Sequence, residues 1–159
     1  MARLTHTDGS GKARMVDVSD KPATARRAVA RGEVRFGDEG AFTALADNRL
    51  AKGDALAVAR LAGIQAAKRT HEWIPLCHAV PLDHVELSID LDPERRVAIV
   101  TAEARARWHT GVEMEALVAV CGACLALYDM VKGLDRGATL SEIELLEKEG
   151  GRSGHFRRD

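Results

Sequence analysis

Residues 111–132 read GVEMEALVAVCGACLALYDMVK, and the pattern in this stretch decides the architecture. Positions 116–128 carry no charge, while Glu113 and Glu115 open the segment and Asp129 and Lys132 close it. Met114, Leu117, Cys121, Cys124, Tyr128 and Val131 recur at steps of three and four, the period of a buried helical stripe. A charge-free, Ala-rich helix of about 22 residues is about 33 Å long at 1.5 Å per residue and requires neighbours to cover it. Asp129 and Lys132 are then i,i+3 neighbours where the helix leaves the core. Glu115 and Asp129 fall within about 40° of each other around the axis but about 21 Å apart along it. One compact ligand does not easily reach both on a single helix. If both serve one site, a groove completed by a second subunit is the simpler arrangement, and the expectation is an oligomer with composite sites.

Outward from this helix, the chain alternates between element types. Residues 27–36 alternate as a strand, with Ala28, Ala30, Gly32, Val34 and Phe36 on one side and Arg27, Arg31, Glu33 and Arg35 on the other. Helix is a rival reading there, since Ala and Arg are good helix formers. A short helix near 41–47 follows. Asp54 then reads as the N-cap of a helix from about Ala55 to His71. Prolines at 75 and 81 bracket a loop. Val85, Leu87, Ile89 and Leu91 alternate with polar residues in a strand, and Asp92-Pro93-Glu94 turns the chain into another at about 96–106. A last strand covers about 139–148. The order is β-α-β-β-α-β with one extra short helix. This predicts an α+β, ferredoxin-like antiparallel sheet with helices packed on one face.

The chain has 159 residues, enough for one domain with its own core, here taken as residues 1–159 with flexible segments at about 1–20 and 150–159. A net charge of −1, with 30% charged residues, gives no sign of a nucleic-acid surface. No uninterrupted apolar run approaches about 18 residues, so neither a membrane span nor a signal peptide is expected. Three cysteines without a framework of spacings fit a reducing cytoplasm better than disulfides. Cys121 and Cys124 lie mid-helix without a second ligand pair, so they read as core residues and not as a zinc or redox site.

The candidate chemistry has two readings at each point. Asp129 and Lys132 form either an ordinary helix-end ion pair or an acid/base couple tuned by the dry turns before it. Glu113 and Glu115 either complement the positive helix end or face a ligand. Cys77-His78, in the proline-bracketed loop, is either plain surface or an imidazole aimed into a cleft. Lys52-Gly53-Asp54 stands at a helix N-terminus suited to phosphate. Lys148, Arg152 and the glycines between them form either a cationic flap over an anion or a frayed end. Residues 14–22 are either a covering strand or disordered. Together these residues describe a small phosphate-binding enzyme equipped for acid/base work.

Met15-Val16-Asp17-Val18-Ser19, Lys52-Gly53-Asp54, Ala57 to Lys68, Ile74-Pro75-Leu76-Cys77-His78, Thr110 to Leu117, Tyr128-Asp129-Met130 and Gly150-Gly151-Arg152-Ser153-Gly154 occur in that order. From about Leu4 to Arg157 this set resembles the molybdenum cofactor biosynthesis protein C family, the cyclic pyranopterin monophosphate synthases. The resemblance implies a ferredoxin-like homohexamer, a trimer of dimers with active sites at the dimer interface. It implies conversion of 3′,8-cyclised dihydro-GTP, made by a radical S-adenosylmethionine enzyme upstream, to cyclic pyranopterin monophosphate with release of diphosphate. It implies catalytic roles for Asp129, Lys132 and Lys52. It further implies substrate contacts from Leu76, Cys77, His78, Glu113, Met114, Glu115, Lys148 and Arg26, with Arg152 in the cationic loop. No cofactor is required by the resemblance. Magnesium commonly accompanies such phosphates, but the sequence shows no dedicated metal cage. Arg152, Trp108-His109 and Ala79-Val80 depart from the usual family residues: Arg152 is a poor proton carrier beside the more usual lysine, and the other two alter the pocket rim and its loop.

Overall fold

The computed structural model describes residues 10–159. The flexible segment expected at about residues 1–20 lies outside the described residues as far as residue 9. The rival readings of 27–36 resolve as strand: β1 spans Thr24–Arg35 and buries Ala28, Ala30, Gly32 and Val34. β2 (His84–Asp92) and β3 (Val97–Trp108) form a hairpin, and β4 (Thr139–Glu149) returns beside β1. β5 (Phe156–Arg157), of which the sequence pattern gave no sign, pairs with β4 at Glu147 and Lys148. The sheet order is β2-β3-β1-β4-β5, with every neighbouring pair antiparallel. Its first four strands have the ferredoxin-like order, and the crossovers carry the helices.

The first crossover contains α1 (Glu39–Ala46), α2 (Ala55–Lys68) and α3 (Thr70–Trp73). Asp38 and Asp54 cap α1 and α2, each accepting a backbone N–H three residues on, at 2.7 and 2.9 Å. The single helix expected from Ala55 to His71 breaks at Arg69, whose φ of −116° leaves the helical region. Thr70 restarts the turn, with its hydroxyl donating to the Ala67 carbonyl at 2.9 Å.

The second crossover is α4 (Glu113–Val131). Its innermost face is Val112, Ala116, Ala119, Val120, Ala123, Cys124, Leu127 and Val131, all at 1% exposure or less. The expected stripe is therefore corrected: Cys124 and Val131 belong to it, but Met114, Leu117, Cys121 and Tyr128 lie on its half-buried flank. Leu125 is 51% exposed, so the single chain does not cover this helix on all sides. An 18-residue window of α4 reaches a mean hydropathy of 1.7, apolar enough to cross a membrane, yet 56% of that window is buried in the fold. α4 is the core helix.

Glycine sets how closely the layers approach. A Cβ on Gly32 would lie 2.5 Å from Val120 Cγ1, so the β1 backbone packs directly against that α4 side chain. Between α2 and α4, a Cβ on Gly63 would meet the Ala119 carbonyl at 2.8 Å, and one on Gly122 would meet Ala66 Cβ at 2.6 Å. The opposite sheet face is ionic instead of apolar. Glu33, at 1% exposure, accepts from Arg95 at 2.8 Å with Arg31 and Arg35 beside it. Arg27 bridges Glu103 and Glu147, both at 2.7 Å.

This packing predicts that Gly122→Val separates α2 from α4 and lowers unfolding free energy by about 2 kcal/mol, within the overpacking range. Gly133→Ala, where an added Cβ has nothing within 4 Å, should change it by less than about 0.5 kcal/mol. Denaturant unfolding of the two variants checks the contrast.

Candidate functional site

The polar groups of interest gather at the two ends of α4. At its N-terminal end, three segments surround a cavity of about 330 Å³. The arm before β1 supplies Val16, Val18 and Lys21. The proline-bracketed loop supplies Leu76, Cys77, His78 and Val80, and the start of α4 supplies Glu113, Met114 and Glu115 with Thr110 and Gly111 before them. The loop doubles back where the Cys77 N–H donates to the Ile74 carbonyl at 3.0 Å. Gly111 leaves room for the Glu113 carboxylate, which folds back to within 1.9 Å of where a Cβ would stand.

Glu115 is only 3% exposed, and burial pushes its carboxyl up from an ordinary 4.5 to about 7, with the neighbouring charge of Glu113 adding to the rise. The helix-end reading of Glu115 thus gives way to burial as the dominant effect. Cys77 is half-buried, and burial together with the Glu115 charge pushes its thiol up, which makes it a poor nucleophile. His78 donates from Nε2 to the Val16 carbonyl at 2.8 Å, so the neutral ring offers Nδ1 as an acceptor.

A second, cationic cavity of about 230 Å³ adjoins the first and is lined by Lys21, Pro22, Thr24, Arg26, Gly151 and Arg152. Lys21 lines both. Arg26 is held in place by two backbone acceptors, the Trp108 carbonyl at 3.2 Å from Nε and the His109 carbonyl at 3.4 Å from Nη2. Gly151 crosses directly over this guanidinium with φ +78°, where a Cβ would stand 1.9 Å from Nη1. Lys148, 9% exposed, donates to the Ser153 hydroxyl in the same loop.

The other end of α4 is different. Lys132 Nζ lies 2.7 Å from one Asp129 carboxylate oxygen and Lys52 Nζ 2.8 Å from the other, and Lys52 also donates to the Asp129 carbonyl at 2.6 Å. Hydrogen bonds from Lys132 and Lys52 hold the Asp129 carboxyl down at about 2, and Asp129 in turn raises the Lys132 ammonium. The side chains of Asp129, Lys132 and Lys52 are 54%, 50% and 46% exposed. The desolvated rim expected for Asp129 and Lys132 is therefore corrected: in one chain this triad is wet. Lys52 also does not point to the α2 N-terminus, where the Asp54 side chain already caps the Ala57 N–H.

Leu76, Cys77, His78, Glu113, Met114 and Glu115 thus share one cavity, with Arg26 and Arg152 at the one beside it, whereas Lys148 does not line either and instead holds Ser153 of the glycine loop. Lys52, Asp129 and Lys132 form a separate group about 21 Å along the helix. The sequence reading passed over Lys21 and treated His109 only as a departure at the rim. The one signal for Lys21 was a cation fixed just before Pro22. Glu147, Glu149 and His155 also converge on the ionic sheet face, but Arg27 and His155 already occupy the carboxylates.

Comparison with known proteins places the chain in a family. Residues 15–151 match the MoaC family. A cyclic pyranopterin monophosphate synthase of Thermomicrobium roseum is 53% identical over 159 residues, covering 100% of this chain and 95% of its own. One from Cereibacter sphaeroides is 53% identical across 98% of both chains. Molybdenum cofactor biosynthesis protein 1 of Bos taurus is also 53% identical over 98% of this chain, which corresponds to 24% of that longer protein. With the match running through the arm, the Cys77-His78 loop, all of α4 and the glycine loop, the chain belongs to the MoaC family.

Proposed function

We propose that this chain is a cyclic pyranopterin monophosphate synthase, acting in molybdenum cofactor biosynthesis on 3′,8-cyclised dihydro-GTP. The observation that supports it most is the pairing of a half-closed cavity holding Glu115 and His78 with a cationic cavity holding Lys21, Arg26 and Arg152. A purine-derived ring system joined to a triphosphate has that same division into a hydrogen-bonding body and an anionic tail. The reaction opens an aminal-type ring, recloses it as a pterin, and joins a substrate hydroxyl to the α-phosphorus as the bond to diphosphate breaks. The cations neutralise charge on the departing diphosphate. Glu115, with its carboxyl near 7, is suited to hold or release a proton at neutral pH.

The distant triad enters through a second copy of the chain. In a homohexamer built from dimers, the C-terminal end of α4 of one protomer brings Asp129 and Lys132, with Lys52 from the loop before α2 bonded to Asp129, to the cavity of its neighbour. The two lysines hold Asp129 ionised, so it orients their ammoniums and is the proton acceptor of the couple it forms with Lys132. Lys132 and Lys52 are the proton donors at that end. The enzyme is placed in the cytoplasm, downstream of a radical S-adenosylmethionine enzyme. Magnesium is an optional companion of the triphosphate and has no step of its own.

Two other readings are separated by one assay. A nucleotide-binding regulatory module would bind the cyclised dihydro-GTP unchanged, and a structural partner of the radical enzyme would need that enzyme present. The purified chain alone should release diphosphate and form the cyclic phosphate; binding without conversion would overturn the proposal. Lys52→Ala, Lys132→Ala and Asp129→Asn should each lose roughly 10²–10⁴-fold in turnover. Because all three side chains are about half exposed, their melting temperatures should stay near wild type. Near-normal turnover in all three would remove the triad from the chemistry.

Glu115 yields a separate pH prediction. The folded chain keeps its proton up to about 7 while the unfolded chain releases it near 4.5. Its contribution is fully present below 4.5 and is lost as pH rises through about 7. The loss is on the order of 3 kcal/mol. Glu115→Gln should flatten that slope in urea unfolding measured between pH 4.5 and 8, whereas an unchanged slope would assign it to another group.

A further inference from the structure

Lys21 is the residue common to the two cavities, and its position depends on contacts that the reaction itself does not require. Its N–H donates to the Val18 carbonyl at 3.0 Å, closing a turn in the arm. Its carbonyl accepts a hydrogen bond from His109 Nδ1. Pro22 follows and confines Lys21 to extended backbone, so the direction of that carbonyl is restricted. The His109 ring is held edge-on against Trp108, with centroids 4.8 Å apart at 65°. The carbonyls of Trp108 and His109 in turn hold Arg26, the other cation of the phosphate-side cavity. At the far end of the arm, His78 secures the Val16 carbonyl. The arm is therefore tied at two points, one at each end of the wall that it builds.

We propose that His109 is a positioning residue: it fixes Lys21 in the wall shared by the two cavities, so that the Lys21 ammonium meets a phosphate oxygen of the substrate. His109 thus couples the two cations of one cavity, Lys21 through its ring and Arg26 through its carbonyl. This rests on the reading of the site as one for a phosphorylated substrate, although its first test needs no substrate at all.

Hydrogen exchange across residues 14–23 is compared in wild type, His109→Ala and His109→Asn. Loss of one hydrogen bond should speed exchange in the arm about five- to tenfold in the Ala variant. Asn, whose amide N–H lies near the position of Nδ1, should restore the wild-type rate. Calorimetric titration with inorganic triphosphate should show an affinity loss of the same size for His109→Ala. With the cyclised dihydro-GTP, KM should rise correspondingly while kcat stays within about twofold, the pattern of lost uniform binding. Because His109 acts through Lys21, the Lys21→Ala/His109→Ala pair should bind triphosphate no more weakly than Lys21→Ala alone. Unchanged arm exchange, unchanged triphosphate affinity, or additive losses would each overturn the assignment. Should His109→Ala fail to fold, Asn must outperform Gln at this position, since Gln places its donor one bond farther out; equal behaviour would overturn it as well. A chain inactive toward the cyclised dihydro-GTP yet showing the exchange and triphosphate effects would refute the proposed activity and leave the role of His109 standing.

Discussion

The length of α4 constrains everything else in this structure. Its inner face is pinned by closely packed small residues: glycine at 63 and 122 lets the α2 and α4 backbones approach closely, and Gly32 lets the β1 backbone pack on the Val120 side chain. A helix held in this way cannot bend to bring its ends together. Glu115 at one end and Asp129 at the other therefore remain about 21 Å apart, a distance set by the rise per residue. Any chemistry that needs both must obtain one of them from another molecule. The exposed Leu125 and the wet lysine–aspartate triad fit the proposal that a second copy of the chain completes the site.

The two carboxylates show how position along one helix changes the same functional group. Burial raises Glu115 to about 7, while two hydrogen-bonding lysines hold Asp129 down at about 2. One can exchange protons at neutral pH, and the other is held ionised and organises cations. The cavities follow a similar division. The body of the site is built from an arm, a loop and a helix end, whereas the cationic side depends on glycine backbone lying across Arg26.

Much of this was legible in the chain itself. Alternation in residues 85–91 and the capping aspartate at 54 correspond to elements found in place, and the element order gave the ferredoxin-like topology. The i,i+3 spacing of Asp129 and Lys132 was readable as a contact, and it measures 2.7 Å. Periodicity placed the α4 stripe partly on the wrong side, because Leu117, Cys121 and Tyr128 are as apolar as their fully buried neighbours. Hydrophobicity alone does not say which side of an all-apolar helix meets the sheet. The link from Lys52 to Asp129, and the links from His78 and His109 to backbone carbonyls of the arm, join residues 62 to 88 positions apart. No local pattern encodes such contacts, and for Lys52 only the family resemblance pointed to a role beside Asp129.

The claim that two copies share each site is tested most directly by mixing two inactive variants. Lys132→Ala removes one half and His78→Ala the other, and the two are unfolded and reassembled together. In a two-fold dimer with random exchange, about a quarter of wild-type activity should return, because each mixed dimer rebuilds one intact site. No recovery, with subunit exchange demonstrated by mass, would contradict a shared site and confine the chemistry to groups within a single chain.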